Sequence, residues 1–87
     1  MNLEILTPEK TLFSDDVFGV QLPGVAGLFE VLDKHAPLIS ALQAGRIKVL
    51  KDKKNQFDFF DIQSGFVEVI ANTVTVLVEG AIPVETK

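Results

Sequence analysis

Apolar and polar residues alternate in short bursts along this chain, and turn residues separate the bursts. Leu3-Glu4-Ile5-Leu6 opens as a strand with Leu3 and Ile5 on one face, and Thr7-Pro8-Glu9 turns it. Thr11-Leu12-Phe13 reads as a second short strand closed by Ser14-Asp15-Asp16. From Val17 to Leu22 the alternation places Phe18, Val20 and Leu22 on one face, which predicts a core strand over Phe18–Leu22. Leu22 to Leu38 holds two Pro, two Gly and His35, and predicts a shaped loop with a strand-like run at Phe29, Val31 and Leu32. Propensity alone allows a short helix over Leu38–Gln43, but the flanking Pro37 and Gly45 and the shortness of the run favour a strand.

Arg46–Leu50 alternates charged and apolar residues with Ile47 and Val49 inward. Lys51 to Asn55 is a polar hairpin connection, and Gln56 to Ile62 returns. Phe59 and Phe60 are consecutive, so they face opposite sides of that strand. Gln63-Ser64-Gly65 turns the chain into a last hairpin, Phe66–Ile70 and Thr73–Glu79 around Ala71-Asn72. Its Val and Thr side chains suit a pleated surface because branching at Cβ stiffens them. Ala81–Val84 is a final extended segment in which Pro83 suits an edge. No long helical period occurs, and turn signals recur at roughly the 8–12-residue spacing of β folds. The class is all-β.

Eighty-seven residues leave room for one small domain, 1–87. At 47% hydrophobic residues the chain is too apolar for a disordered tail, and the excess fits either a dense β core or a surface that meets a partner. With no Cys, there is neither a disulfide nor a thiolate metal site. No apolar run approaches the roughly 18 residues of a membrane-spanning helix. Met1-Asn2-Leu3-Glu4 lacks the basic start of a signal peptide, so the chain is expected to stay in its compartment of synthesis. A net charge of −4 argues against nucleic acid, which needs a basic face. The cluster Lys51, Lys53 and Lys54 sits among acids and reads as a solvated hairpin tip.

Candidate chemistry is sparse. His35 is the only imidazole, and with Asp33 and Glu30 it matches no zinc spacing. Ser14, Ser40 and Ser64 lie in no nucleophile elbow, and turns or strand ends account for them. Leu22-Pro-Gly-Val-Ala-Gly lacks the Lys and helix of a phosphate loop. Asp15-Asp16 reads as a solvated turn rather than a cation site. No catalytic residue, metal ligand or cofactor site is expected, and no small-molecule substrate. Val25, Leu28 and Phe29 stand out as apolar residues of a Gly-rich loop: Phe29 either plugs the core or, with the other two, forms a docking edge.

Those residues also carry a resemblance. Leu22-Pro-Gly, Gly27-Leu-Phe-Glu-Val-Leu and His35-Ala-Pro-Leu resemble the epsilon subunit of bacterial-type F1Fo ATP synthases, whose pattern reads L-P-G-x-x-G-x-F-G-V-L-P-G-H-A-P-L. The opening Thr7-Pro-Glu-Lys-x-Leu-Phe-Ser and the block Ser64-Gly-Phe-Val-Glu-Val with Asn72-x-Val-Thr-Val-Leu extend it over nearly the whole chain. Glu30 stands where the family has Gly, Asp33-Lys34 where it has Pro-Gly, and Ser64-Gly65 where it has Gly-Gly.

The resemblance implies a flattened β-sandwich or barrel of about ten short strands, with Phe60 and Ile62 in its core and Phe57 and Phe59 opposite. It implies a non-catalytic central-stalk subunit that links gamma to the ring of c subunits and transmits rotation. Gly27, Leu28, Phe29 and Glu30 would face the c ring; Thr7, His35, Ala36, Pro37, Leu38 and Ser40 would face gamma. The implied location is the cytoplasmic face of the bacterial inner membrane, peripheral and without insertion. Many members continue into a two-helix hairpin that restrains hydrolysis or binds ATP; the chain is expected to lack C-terminal helices, an inhibitory arm and a nucleotide site. The rival reading is a stand-alone β-sandwich module binding a peptide or carbohydrate in a groove lined by Phe57, Phe59 and Phe66.

Overall fold

A computed structural model describes residues 1–52 and 56–84. Among them are ten strands and no helix: β1 (Asn2–Leu6), β2 (Thr11–Asp16), β3 (Gly19–Gly24), β4 (Gly27–Leu32), β5 (Leu38–Leu42), β6 (Gly45–Leu50), β7 (Phe57–Ile62), β8 (Ser64–Ile70), β9 (Thr73–Glu79) and β10 (Ile82–Val84). Hydrogen bonding joins all ten into one sheet that folds over on itself. One layer runs β4-β3-β6-β7-β10 and the other β5-β8-β9-β1-β2. Every pairing is antiparallel except β1 with β9, which joins the first strand to the last long one in parallel.

The layers meet at β3. Its first half pairs with β6 as far as Gln21↔Lys48, and its last residue pairs with β5 at Gly24↔Leu42. Pro23 occupies the switch between these partners, where a residue without a donor is tolerated. Its carbonyl accepts a hydrogen bond from Gln43 N at 2.9 Å.

Alternation decides the core. Val20, Leu22, Val31, Ile47, Val49, Phe60 and Ile62 project inward from the first layer, and Leu3, Ile5, Leu42, Val67, Val69, Val74, Val76 and Val78 from the second. Twelve of the sixteen buried apolar side chains are Val or Ile. Such stiff side chains lose little rotamer freedom on packing and yield a close-packed, barely compressible interior. Phe13 of β2 meets Phe60 of β7 edge to face across the layers, ring centroids 6.2 Å apart.

Several local expectations change. Phe18 is 37% exposed and lies outside the strand, whereas Val17 is buried. The chain crosses between layers here: Val17 N bonds Met1 O and Phe18 N bonds Leu50 O, so period-two alternation breaks between them. Ser14, Asp15 and Asp16 close no turn but continue β2, paired with Glu4, Leu3 and Asn2. Ser64 and Gly65 likewise belong to β8. The expected loop after Leu22 is largely the β3–β4 hairpin, in register from Gly19↔Leu32 to Gly24↔Gly27. Of the Lys51–Asn55 connection, Lys53, Lys54 and Asn55 lie outside the described residues; Lys51 N bonds Gln56 O at its base.

Candidate functional site

Outward-facing residues of the second layer form cross-strand rows. Register places Ala41, Phe66, Leu77 and Leu6 side by side on β5, β8, β9 and β1. The next row holds Ile39, Glu68, Thr75 and Glu4. Ile70 and Thr73 begin a third. Phe66 is 60% exposed, Ile39 73%, and Ile70 and Leu77 52% each. Scattered exposed apolar residues are ordinary; four on one contiguous face are not. Beside the first row lies a hollow of about 440 Å³ lined by Pro8, Ala41, Leu42, Gly65, Phe66 and Leu77.

The expected gamma-facing residues distribute around this face. Thr7 lies at one end, where its hydroxyl accepts hydrogen bonds from Glu9 N and Lys10 N and so shapes the β1–β2 turn. His35, Ala36 and Pro37 lie at the other end, exposed, before β5. Leu38 and Ser40 are half-buried and pair with Val69 and Val67 on the inward side; their neighbour Ile39 points out. Ile39, Ile70 and Leu77 carry the face without a motif to mark them. The available signal was parity: Phe66 and Ile70 alternate with Val67 and Val69, so one set had to face outward.

The His35 end is held by polar contacts. His35 Nδ1 donates to Ala36 O at 2.7 Å, and Lys34, at φ 63°, donates its N–H to Asn72 Oδ1 at 2.7 Å. Asn72 Nδ2 donates to Asp33 Oδ1 at 2.8 Å, and the ammonium of Met1 approaches the same oxygen at 3.3 Å. The Asn72 hydrogen bond, with help from that ammonium, holds the Asp33 carboxyl below its ordinary value. These contacts tie the β4–β5 corner to the β8–β9 turn.

The expected c-ring-facing residues sit on the β3–β4 hairpin. Val25 and Ala26 form its tip, and Gly27 closes it at φ 130°, a conformation that favours glycine. Leu28 is 68% exposed and Glu30 is exposed across from Gln21. Phe29 is half-buried and packs on the core, its ring over Gly24. Phe29 therefore packs inward, whereas Val25 and Leu28 are exposed at the tip. Val25 N bonds Ala41 O, so the tip adjoins the Thr7 end of the second layer and lies far from His35.

The aromatic groove of the rival reading does not form. Phe57 and Phe59 lie together on the outer face of the first layer, centroids 6.3 Å apart, with Lys48 Nζ 4.2 Å from the Phe57 ring centre. Phe66 faces outward from the opposite layer. Arg46 grips Asp61 through Nε and one terminal nitrogen at 2.7 and 3.1 Å, and this pairing holds the Asp61 carboxyl below its ordinary value. Among the described residues, no three His, Asp or Glu are arranged to hold a metal ion.

Comparison with known proteins agrees with this architecture. Residues 1–84 match the family model described as ATP synthase, Delta/Epsilon chain, beta-sandwich domain. The chain is 43% identical over 77 residues to the ATP synthase epsilon chain of Protochlamydia amoebophila, covering 88% of this chain and 52% of that one. It is 46% identical over 81 residues to that of Lawsonia intracellularis, covering 93% and 59%. Over 77 residues it is 42% identical to that of Chlorobium limicola, covering 88% and 86%. It thus spans between half and three-fifths of the first two relatives and most of the third. A chain of the cryo-EM structure of the Euglena gracilis mitochondrial ATP synthase, OSCP/F1/c-ring in rotational state 1, shares the fold at a TM-score of 0.85 and 20% identity, covering 93% of this chain and 51% of that one.

Proposed function

This chain belongs to the β-sandwich family of ATP synthase delta and epsilon chains, and from that premise we propose that it acts as a non-catalytic part of the central stalk. It links gamma to the c ring and passes rotation between them, at the cytoplasmic face of the bacterial inner membrane and peripheral to it. The carrying observation is the exposed apolar face of Ile39, Phe66, Ile70 and Leu77 on an otherwise well-packed sandwich. Gamma covers that face, with Thr7 at one end and His35, Ala36 and Pro37 at the other; Leu38 and Ser40 support it from within. The β3–β4 hairpin, with Gly27, Leu28 and Glu30 outward and Phe29 as its root, meets the c ring.

A torque-transmitting part must not yield, and a core of branched side chains suits that need. The two surfaces lie on different parts of the sandwich, so both partners are held at once. The test is co-purification from energy-coupling membranes with the tagged chain as bait. Recovery of gamma and c subunits in stoichiometric amounts is expected. Recovery of neither, from a folded bait, would end the stalk reading.

A further inference from the structure

The five strands of the second layer contain no Lys, Arg or His. Their charged residues are all acids: Glu4, Asp15, Asp16, Glu68 and Glu79. The other layer, by contrast, holds Arg46 and Lys48. Parity then sorts the acids. Glu4, Glu68 and Glu79 share the outward side with Leu6, Phe66 and Leu77, because each alternates with a buried residue of its own strand. Ion pairs among the described residues engage Asp16, Asp33, Asp58 and Asp61 and leave these three glutamates out.

The acids flank the apolar row on both sides. Glu68 and Glu4 occupy the neighbouring row, and Glu79 lies two residues beyond Leu77 on the far side. Strands are spaced by about 4.8 Å, so the four-strand row of Ala41, Phe66, Leu77 and Leu6 is roughly 14 Å long, the length of about ten helical residues.

We propose that this face receives a basic amphipathic helix of the partner. Its apolar stripe lies along the Ala41–Phe66–Leu77–Leu6 row, and its Lys or Arg side chains meet Glu68 and Glu4 on one flank and Glu79 on the other. The proposal rests on the reading of the chain as a gamma-bound stalk subunit and adds what gamma must present. Other occupants fit the charge poorly. A second copy of this chain sets acids against acids, and an anionic lipid surface is repelled in the same way. Complementary charge at an apolar contact chiefly selects the partner and speeds its capture, which makes the three glutamates specificity determinants.

The test measures binding of purified gamma to the full chain from about 50 to about 500 mM salt, where the Debye length shrinks from roughly 14 to roughly 4 Å. Wild type is expected to lose about tenfold in affinity across that range. Glu68→Lys and Glu4→Lys, checked for native circular dichroism, are expected to bind about tenfold more weakly at low salt and to flatten the salt dependence. Folded charge-reversal variants that bind gamma as wild type at every salt concentration overturn the acidic rim while leaving the gamma assignment standing. Failure of the folded wild-type chain to bind gamma at any salt overturns the underlying reading instead. Growth of a homodimer as salt is raised would replace the proposed occupant with a second copy.

Discussion

Phe66 and Val67 are adjacent in sequence and face opposite ways, so one substitution at each separates binding from folding. Phe66 is 60% exposed. Of roughly 200 Å² in such a side chain, about 120 Å² is left for a partner, and covering it contributes about 3 kcal/mol at roughly 25 cal/mol per Å². Phe66→Thr keeps a strand-forming residue and removes most of that area. Gamma affinity is therefore expected to fall by about 30- to 150-fold, the loss of a central aromatic anchor. The part of the ring already covered by the fold is partly replaced by the threonine, so folding stability falls by only about 1 kcal/mol. Val67 is fully buried. Val67→Thr conserves shape but places a hydroxyl where no partner awaits it, at about 2–3 kcal/mol, or roughly 10–20 °C in Tm. Once folded, it should bind gamma as wild type does. The assay is calorimetric titration with gamma at a temperature where both variants are folded, beside a thermal melt of each. Unchanged gamma affinity in folded Phe66→Thr would refute the assignment of this face.

Glu30→Lys should weaken assembly with the c ring and leave Tm unchanged, because Glu30 is exposed and the ion pairs among the described residues do not include it; normal coupling in membranes carrying the variant would contradict the c-ring contact. Asp61 has its folded pKa lowered from 3.8 by Arg46, so its stabilising effect is present above that ordinary value and is lost as pH falls through the lower folded one. Wild type should therefore melt above Asp61→Asn at neutral pH, with the gap closing only in stronger acid; a gap independent of pH would refute the pairing. A Cβ on Gly65 would lie 2.5 Å from the Leu77 carbonyl oxygen and force β8 and β9 apart. Gly65→Ala should cost about 1–3 kcal/mol in chemical denaturation, and a neutral result would mean the hairpin is looser than its register implies.

The strands were legible in the chain because side-chain parity repeats every two residues and needs no knowledge of neighbours. It put Ile47 and Val49 inside, but between Phe59 and Phe60 it said only that they face opposite ways; the family resemblance chose Phe60 and Ile62 for the core, and both are buried. The Leu22-Pro-Gly and His35-Ala-Pro motifs were equally visible, since Pro and Gly act on the local backbone. Parity is silent on which strands pair. The parallel contact of β1 with β9 and the sharing of β3 between β6 and β5 join segments far apart in sequence, and only folding brings their donors and acceptors together. For the same reason Phe18 was misplaced where the chain changes layers. The apolar row and its acids belong to this second kind of knowledge: Leu6, Ala41, Phe66 and Leu77 are unremarkable singly, and become a surface because four strands set them side by side.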